Sequence, residues 1–163
     1  MQMPKAAYED RNDLEKIQSQ WHKLTGLHTR EEWSAAIVRT ATAAELAANF
    51  AIREEFRERG GNFDVEFVDS LLRWANGLAG KIDHLLLPLN AQKKRLAKIK
   101  KLKAASCEIN IKRNAIAHQG KFSNEDEAIA AIEQTRHFIQ TLVQLYVPHF
   151  VLKDQKTVND PTD

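Results

Sequence analysis

The sequence predicts an all-α protein, an antiparallel bundle of about five helices, and three observations support this fold class. Helix-forming residues such as Ala, Leu, Glu, Lys and Arg dominate, with only 6 Gly and 4 Pro among 163 residues. Apolar residues recur at spacings of three and four, and Val and Thr form no long alternating runs. Hydrophobic residues make up 43% of the chain, which is enough for one core. We therefore expect one helical domain over residues 1–152, followed by a polar C-terminal tail over 153–163.

Breakers and capping residues divide the chain into the five predicted helices. Their approximate bounds are 8–24, 30–59, 62 or 64 to 88, 91–118 and 123–148. Prolines follow the third and fifth helices, and a proline cannot continue a helix. The connections are short, which favours antiparallel neighbours in a bundle.

Polar side chains predict where three of these helices begin. Thr29 followed by Glu32 has the pattern of a capping box, in which each side chain accepts a hydrogen bond from the other residue's backbone N–H. Asn90 is a candidate cap for the fourth helix, and Ser123 with Asp126 for the fifth.

Glycines predict where helices end, because glycine is common directly after the last helical residue. Gly26 is expected to end the first helix, Gly60-Gly61 the second and Gly120 the fourth. Gly77 and Gly80 weaken the middle of the third helix, so we expect that helix to bend or break there.

Composition and local patterns exclude several classes of protein. Cys107 is the only cysteine, so neither an internal disulfide nor a zinc site built on several cysteines can form. The polar N-terminus does not resemble a signal peptide, and the longest apolar runs are too short to span a membrane. We expect a cytoplasmic protein with no membrane partner. Trp21, Trp33 and Trp74 lie on inferred apolar faces and are expected in the core rather than at a base-stacking surface.

Positive charge is concentrated in one segment, although the net charge is only +2. Residues 93–113 contain nine basic residues and one acidic residue, a local charge of +8. This distribution predicts a surface that binds the phosphates of RNA. The candidate RNA-binding residues, which lie roughly on one side of the fourth helix, are Lys94, Lys98, Lys101 and Lys112. The alternative is a solvated helix face with no ligand.

The basic segment ends in the stretch KRNAIAHQG at residues 112–120, which contains an Arg and a His five residues apart. Ten arginines and six histidines in this chain give about 0.4 such pairs by chance, so this spacing alone indicates nothing. Requiring Asn directly after the Arg lowers the expectation to about 0.02. The position of the stretch, at the end of a basic helix and just before a glycine, adds to its specificity.

Arg113, Asn114 and His118 resemble the Arg-x(4–6)-His signature of HEPN domains (higher eukaryotes and prokaryotes nucleotide-binding). Many members of that family have a polar residue, often Asn, directly after the arginine. The resemblance extends to the architecture over about 30–147, a helical bundle with the motif on a late helix. Related proteins often have an acidic or polar residue on an early helix near the active arginine, and Glu45 is the candidate for that residue here.

Membership of this family implies a metal-independent ribonuclease that works as a homodimer, with the two motifs facing each other. It also implies a toxin or a phage-defence or stress effector, often restrained by an antitoxin or another regulatory partner protein. Some members are non-catalytic and bind nucleic acid, nucleotide or a partner protein. We predict no cofactor.

The chemistry of RNA cleavage is compatible with these residue types. RNA supplies its own nucleophile, the 2′-OH. A histidine such as His118 can accept or donate a proton near neutral pH, and the guanidinium of Arg113 can hold a phosphate with two parallel hydrogen bonds. Asn114 and His118, at i and i+4, share a helix face, whereas Arg113 points about 140° away from His118, so its long side chain must close that gap.

Other interpretations of the stretch are structural. Arg and His near a helix C-terminus complement the helix dipole, and the protein could be a helical bundle without a nucleic-acid ligand. No HExxH, CxxC or glycine-rich phosphate loop occurs, and the remaining histidines lack metal-ligand spacing. We therefore predict no metal site.

Overall fold

The computed structural model describes residues 6–155, and its regular elements are all helical, with no strand among these residues. The helices are α1 (Asp13–Thr29), α2 (Trp33–Glu58), α3 (Val65–Trp74), α4 (Gly77–Lys81), α5 (Leu87–Leu89), α6 (Leu96–Gln119) and α7 (Glu125–Gln144). A 3-10 turn at Tyr8–Asp10 precedes α1, and a π-helical turn at Ile82–Leu86 joins α4 to α5. The predicted all-α bundle is thus confirmed. Within the described residues, no helix combines the length and apolar character that crossing a membrane requires.

α2 is the central helix and packs against α1, α6 and α7. α1 is antiparallel to α2, because the start of α1 reaches the end of α2 through the Asp13–Arg53 ion pair at 2.9 Å. At the other end of the pair, the rings of His28 and Trp33 meet edge to face at 5.0 Å. Alanines make up much of the buried face of α2, and such small side chains let neighbouring helices pack closely.

α6 and α7 form an antiparallel pair beside α2. The end of α6 and the beginning of α7 both reach the N-terminal part of α2, where Ile37 packs in one cluster with Ile116 and Ala131. At the opposite end, Glu55 of α2 receives a hydrogen bond from Tyr146, just after α7. α6 is therefore antiparallel to α2, and α7 is parallel to it.

The first loop differs from the prediction. α1 continues through Gly26 to Thr29, and Gly26 is buried within it. Thr29 Oγ1 donates to the carbonyl of Thr25, one turn back, so it does not cap α2, and no side chain caps α2 at Glu32. The predicted capping box at Thr29 and Glu32 is wrong, because Thr29 still belongs to the preceding helix.

The third predicted helix breaks, as expected, next to Gly77, whose φ is 76°. The ammonium of Lys81, a buried side chain, donates to the carbonyls of Leu72 and Ala75 at 2.8 and 3.1 Å and so satisfies the end of α3. The break changes the position of Trp74, which is the last residue of α3 and is 68% exposed. The expectation of a core tryptophan was correct for Trp21 and wrong for Trp74.

The fourth predicted helix begins later than expected, at Leu96. Asn90 is buried and its Nδ2 donates back to the carbonyl of Leu86 at 2.9 Å, so it closes α5 instead of opening α6. The following turn is held by ion pairs of Lys93 and Arg95 with the buried carboxylate of Glu55.

α7 begins with a capping box of Asn124 and Glu127, one residue away from the predicted pair of Ser123 and Asp126. The predicted C-terminal tail is described only as far as Gln155, and its residues 156–163 lie outside the described residues. Lys153 exchanges hydrogen bonds with Gln18 of α1, and Asp154 accepts one from Trp21 at 2.8 Å. The start of the tail therefore packs on α1.

Candidate active site

The motif occupies the last two turns of α6, and Gly120 ends the helix as predicted. Its φ of 66° lies in the left-handed region, which favours glycine. The N–H of Lys121 then donates to the carbonyl of Ala115 at 3.1 Å. The next residues are tied to α2, because the N–H of Ser123 donates to Ser34 Oγ at 3.0 Å. The end of α6 is thus fixed between the N-terminal parts of α2 and α7.

Arg113, Asn114 and His118 form one hydrogen-bonded cluster. Nη1 of Arg113 lies 2.8 Å from Nε2 of His118 and 2.9 Å from Oδ1 of Asn114. The side chain of Arg113 is half-buried, whereas His118 is exposed. The arginine side chain therefore closes the 140° gap between the two positions within one chain.

The register of α6 explains this conformation of the arginine. Arg113 follows the buried Ile109 by four residues and precedes the half-buried Ile116 by three, so it continues the stripe that faces the bundle. A guanidinium cannot remain unpaired against an apolar core, and its arm therefore extends round the helix to the half-buried Asn114 and the exposed His118.

The chemistry of the three side chains determines which of them donates each hydrogen bond in the cluster. A guanidinium only donates, so Oδ1 of Asn114 and Nε2 of His118 both accept from Arg113. This contact corresponds to the tautomer of His118 that has its ring proton on Nδ1. The remaining N–H groups of Arg113 have no protein acceptor within the described residues, which leaves donors for an anion such as a phosphate.

Glu45, the predicted acidic residue of the site, is hydrogen-bonded elsewhere. Its Oε1 accepts from the ammonium of Lys81 at 3.0 Å, beside Asn49 and Arg73 in a polar depression between α2 and α3. Within the described residues, no hydrogen bond or ion pair joins Glu45 to Arg113 or His118. Glu45 is therefore not a member of the motif cluster.

Three of the four predicted RNA-binding lysines lie along the edge of α6 that faces α7. Lys98 and Lys101 are exposed and line a groove there, and Nζ of Lys112 lies 3.4 Å from Oε1 of Gln134 on α7. The fourth, Lys94, is exposed in the turn before α6. By helical spacing, His118 lies about 120° round the helix from Lys112, so the lysine edge and the motif occupy different faces.

Part of the charge in the basic segment is used within the fold. Lys93 and Arg95 pair with Glu55 and Glu58, and Lys103 pairs with Asp83 at 2.9 Å. Sequence reasoning missed this division because the acidic partners are distant in the chain.

Two other residues, one near the motif and one in the lysine-lined groove, were also not predicted. Ile111 is 66% exposed although it is a large apolar residue on the motif-bearing helix. His137 of α7 lines the groove with Lys98 and Lys101. Ile111 could have been found from the sequence, because it is a large apolar residue that does not fit the spacing of the core residues of its helix. Nothing in the sequence distinguished His137 from the other histidines.

No family model matches this sequence, and no curated protein or solved structure matches it significantly. The resemblance to HEPN domains therefore stays a prediction that depends on the motif and its position. Within residues 6–155, no three or more His, Cys, Asp or Glu side chains come together in a way that could hold a metal ion.

Proposed function

We propose that this protein is a metal-independent endoribonuclease of the HEPN type, with Arg113, Asn114 and His118 at its catalytic centre. The observation that carries the proposal is the 2.8 Å contact between Nη1 of Arg113 and Nε2 of His118. This contact brings a group that can transfer a proton next to a group that can bind a phosphate, at an exposed helix end. Cleavage through the 2′-OH requires both groups.

The reaction follows from these two groups. The substrate phosphate takes the guanidinium of Arg113 from Nε2 of His118, and the freed nitrogen accepts the proton of the 2′-OH while the 2′-oxygen attacks the adjacent phosphorus. The bond from phosphorus to the 5′-oxygen breaks, and a second imidazole, in its protonated form, donates a proton to that leaving oxygen. The products are a 2′,3′-cyclic phosphate and a 5′-OH. The guanidinium of Arg113 stabilises the negative charge that develops on the phosphate oxygens.

A homodimer supplies the second imidazole. Ile111, Asn114 and His118 follow the spacing i, i+3 and i+7, so they share one face of α6. Ile111 is 66% exposed on that face. A second copy related by a two-fold axis would cover Ile111 and bring two histidines and two arginines into one cleft. One histidine then acts as base and the other as acid.

In the cell, such an enzyme would be a toxin or an effector of phage defence or stress, active in the cytoplasm and restrained by an antitoxin or other regulatory partner. Growth on expression tests this role. The wild type should suppress its host, and His118→Ala should relieve the suppression.

The second candidate function is a non-catalytic module that binds nucleic acid, nucleotide or a partner protein. The cluster itself favours this candidate in one respect, because the contact with Arg113 already occupies Nε2 of His118. In this alternative, the motif is a self-contained cap that stabilises the end of α6.

The experiment compares the wild type with Arg113→Ala and His118→Ala on RNA in the presence of EDTA. His149→Ala, which changes an exposed histidine outside the motif, is the matched control. The proposal expects cleavage by the wild type and the control and a loss in both motif variants. RNA that is bound but not cut by the wild type would support the binding module, and failure to bind RNA would leave a structural bundle.

A further inference from the structure

The groove between α6 and α7 is a cationic feature that lies away from the motif. It has a volume of about 320 Å³, and its polar wall is formed by Lys98 and Lys101 from one helix and His137 from the other. Its floor is apolar, with Leu102 and Ala105. No acidic residue lines it.

The charge of this groove is not neutralised within the fold. Some other basic side chains of the bundle pair with carboxylates, as Arg53 does with Asp69 at 3.0 Å and Arg136 with Asp154 at 2.9 Å. Within the described residues, no ion pair or hydrogen bond involves the side chains of Lys98, Lys101 or His137. Two unpaired ammonium groups beside an imidazole attract an anion.

The chemistry of the lining favours a nucleic-acid strand. Lysines neutralise phosphates, Thr141 and Gln144 add neutral polar groups along the wall, and the apolar floor can contact a ribose or a base. Sites for single-stranded nucleic acid combine a positively charged groove along the backbone with rings on which bases stack, and His137 is the ring that lines this groove.

The distance from the motif restricts the ligand further. Lys101 lies 17 residues before His118, about 25 Å along the helix. A ligand that touches both must also turn about 120° round α6, from the α7 edge to the face of His118. A stiff duplex, with a persistence length of about 50 nm for DNA, follows such a path round one helix less readily than a single strand. A flexible single strand can make it.

We propose that the groove between α6 and α7 binds the phosphodiester backbone of a single-stranded RNA, several nucleotides away from the bond that the motif cleaves. Lys98, Lys101 and His137 are the phosphate-binding donors. The inference rests on the proposed ribonuclease function, because it assigns the groove to the same substrate strand.

The test measures binding separately from cleavage. The probe is a single strand of about 16 nucleotides, the upper end of known single-strand site sizes, with every 2′-OH methylated so that it has no nucleophile. Fluorescence anisotropy in EDTA gives Kd as a function of salt for the wild type, Lys98→Gln, Lys101→Gln and His137→Gln. Lys100→Gln is the matched control, because Lys100 is also exposed on α6 but does not line the groove.

The proposal expects the slope of log K against log salt to fall by about 0.7 for each groove lysine replaced and to stay unchanged in Lys100→Gln. His137→Gln should weaken binding, the same sequence annealed to its complement should bind more weakly, and poly-glutamate should not displace the probe. Equal effects of Lys100→Gln and Lys101→Gln, or displacement by poly-glutamate, would overturn the proposal, since the groove would then be a general cationic field or a site for an acidic peptide.

Cleavage assays distinguish this inference from the function on which it rests. With unmodified RNA, the groove variants should slow cleavage of the long strand at low concentration and leave cleavage of a dinucleotide unchanged. Equal slowing on both substrates would overturn the groove as a distant binding site. If the wild type cuts neither substrate but the binding results hold, the ribonuclease function fails and the groove remains a strand-binding site.

Discussion

Nη1 of Arg113 lies 2.8 Å from Nε2 of His118, although the two residues point about 140° apart on the helix that carries them. Asn114 holds the same nitrogen at 2.9 Å, so the arginine is fixed by two acceptors on the solvent side of α6. The catalytic proposal depends on this relationship, because it brings the guanidinium of Arg113 and the imidazole of His118 together.

Asn114→Ala should lower the cleavage rate by about 10- to 100-fold, because a hydrogen bond to a charged group contributes roughly 1.5–3 kcal/mol and the arginine would lose one of its two anchors. The loss should be smaller than in Arg113→Ala. The measurement is the single-turnover rate, with Asn110→Ala, one turn earlier on α6, as the control. An unchanged rate in Asn114→Ala would mean that the amide does not position the guanidinium.

Ile111→Asp should separate the proposed dimer and abolish cleavage while helix content is retained, because a charge would enter an apolar contact between subunits. Sedimentation, circular dichroism and cleavage measure the three properties. Ile129→Asp is the control, since Ile129 is also a partly exposed isoleucine, at 44%, but lies on α7. A wild type that is monomeric and active would contradict the two-histidine site.

Glu55→Gln should reduce the free energy of unfolding by about 3–5 kcal/mol, because Lys93 and Arg95 would lose the carboxylate that is fully buried between them. Glu58→Gln provides the comparison, since the Glu58 side chain is 42% exposed and exposed ion pairs contribute below about 1 kcal/mol. Urea unfolding followed by circular dichroism measures both. Similar losses in the two variants would show that burial of the Glu55 carboxylate has no special cost.

Tyr146 should make the protein sensitive to alkaline pH. Burial, together with its 2.5 Å hydrogen bond to Glu55, raises the pKa of Tyr146 far above its ordinary value. The unfolded chain loses this proton near pH 10 and the folded chain retains it, so the stabilisation is complete below about pH 10 and declines above it. Wild type should therefore lose stability between pH 9 and 11 more steeply than Tyr146→Phe, by up to about 1.4 kcal/mol per pH unit above 10. Parallel pH profiles would contradict this assignment.

Helix periodicity was sufficient to predict the bundle, because the apolar stripes of the long helices are local properties of the chain. Errors occurred where distant groups decide the structure. Asn90 was assigned to α6, but the ion pairs of Lys93 and Arg95 with Glu55 delay the start of that helix. Trp74 was assigned to the core, but α3 ends at that residue.

Part of the candidate site was predictable because it depends on residues that are close together in the chain. The motif residues are neighbours on one helix, so spacing predicted that Asn114 and His118 share a face. The reach of Arg113 depends on its side-chain conformation, which spacing does not determine. The transfer of Glu45 to the site rested on resemblance alone, and its hydrogen bond to Lys81 lies outside the motif cluster. The groove between α6 and α7 was not predictable, because its lining depends on how the two helices are aligned against each other.

The central claim is that His118 drives attack by the substrate's own 2′-OH. The most direct measurement is the end-group analysis of RNA cut by the purified protein in EDTA, alongside the same RNA with a single 2′-deoxy substitution at the cut site. The account predicts a 2′,3′-cyclic phosphate and a 5′-OH, no cleavage at the deoxy position and no product with His118→Ala. Products that end in 3′-OH and 5′-phosphate, or cleavage that continues at the deoxy position, would contradict it.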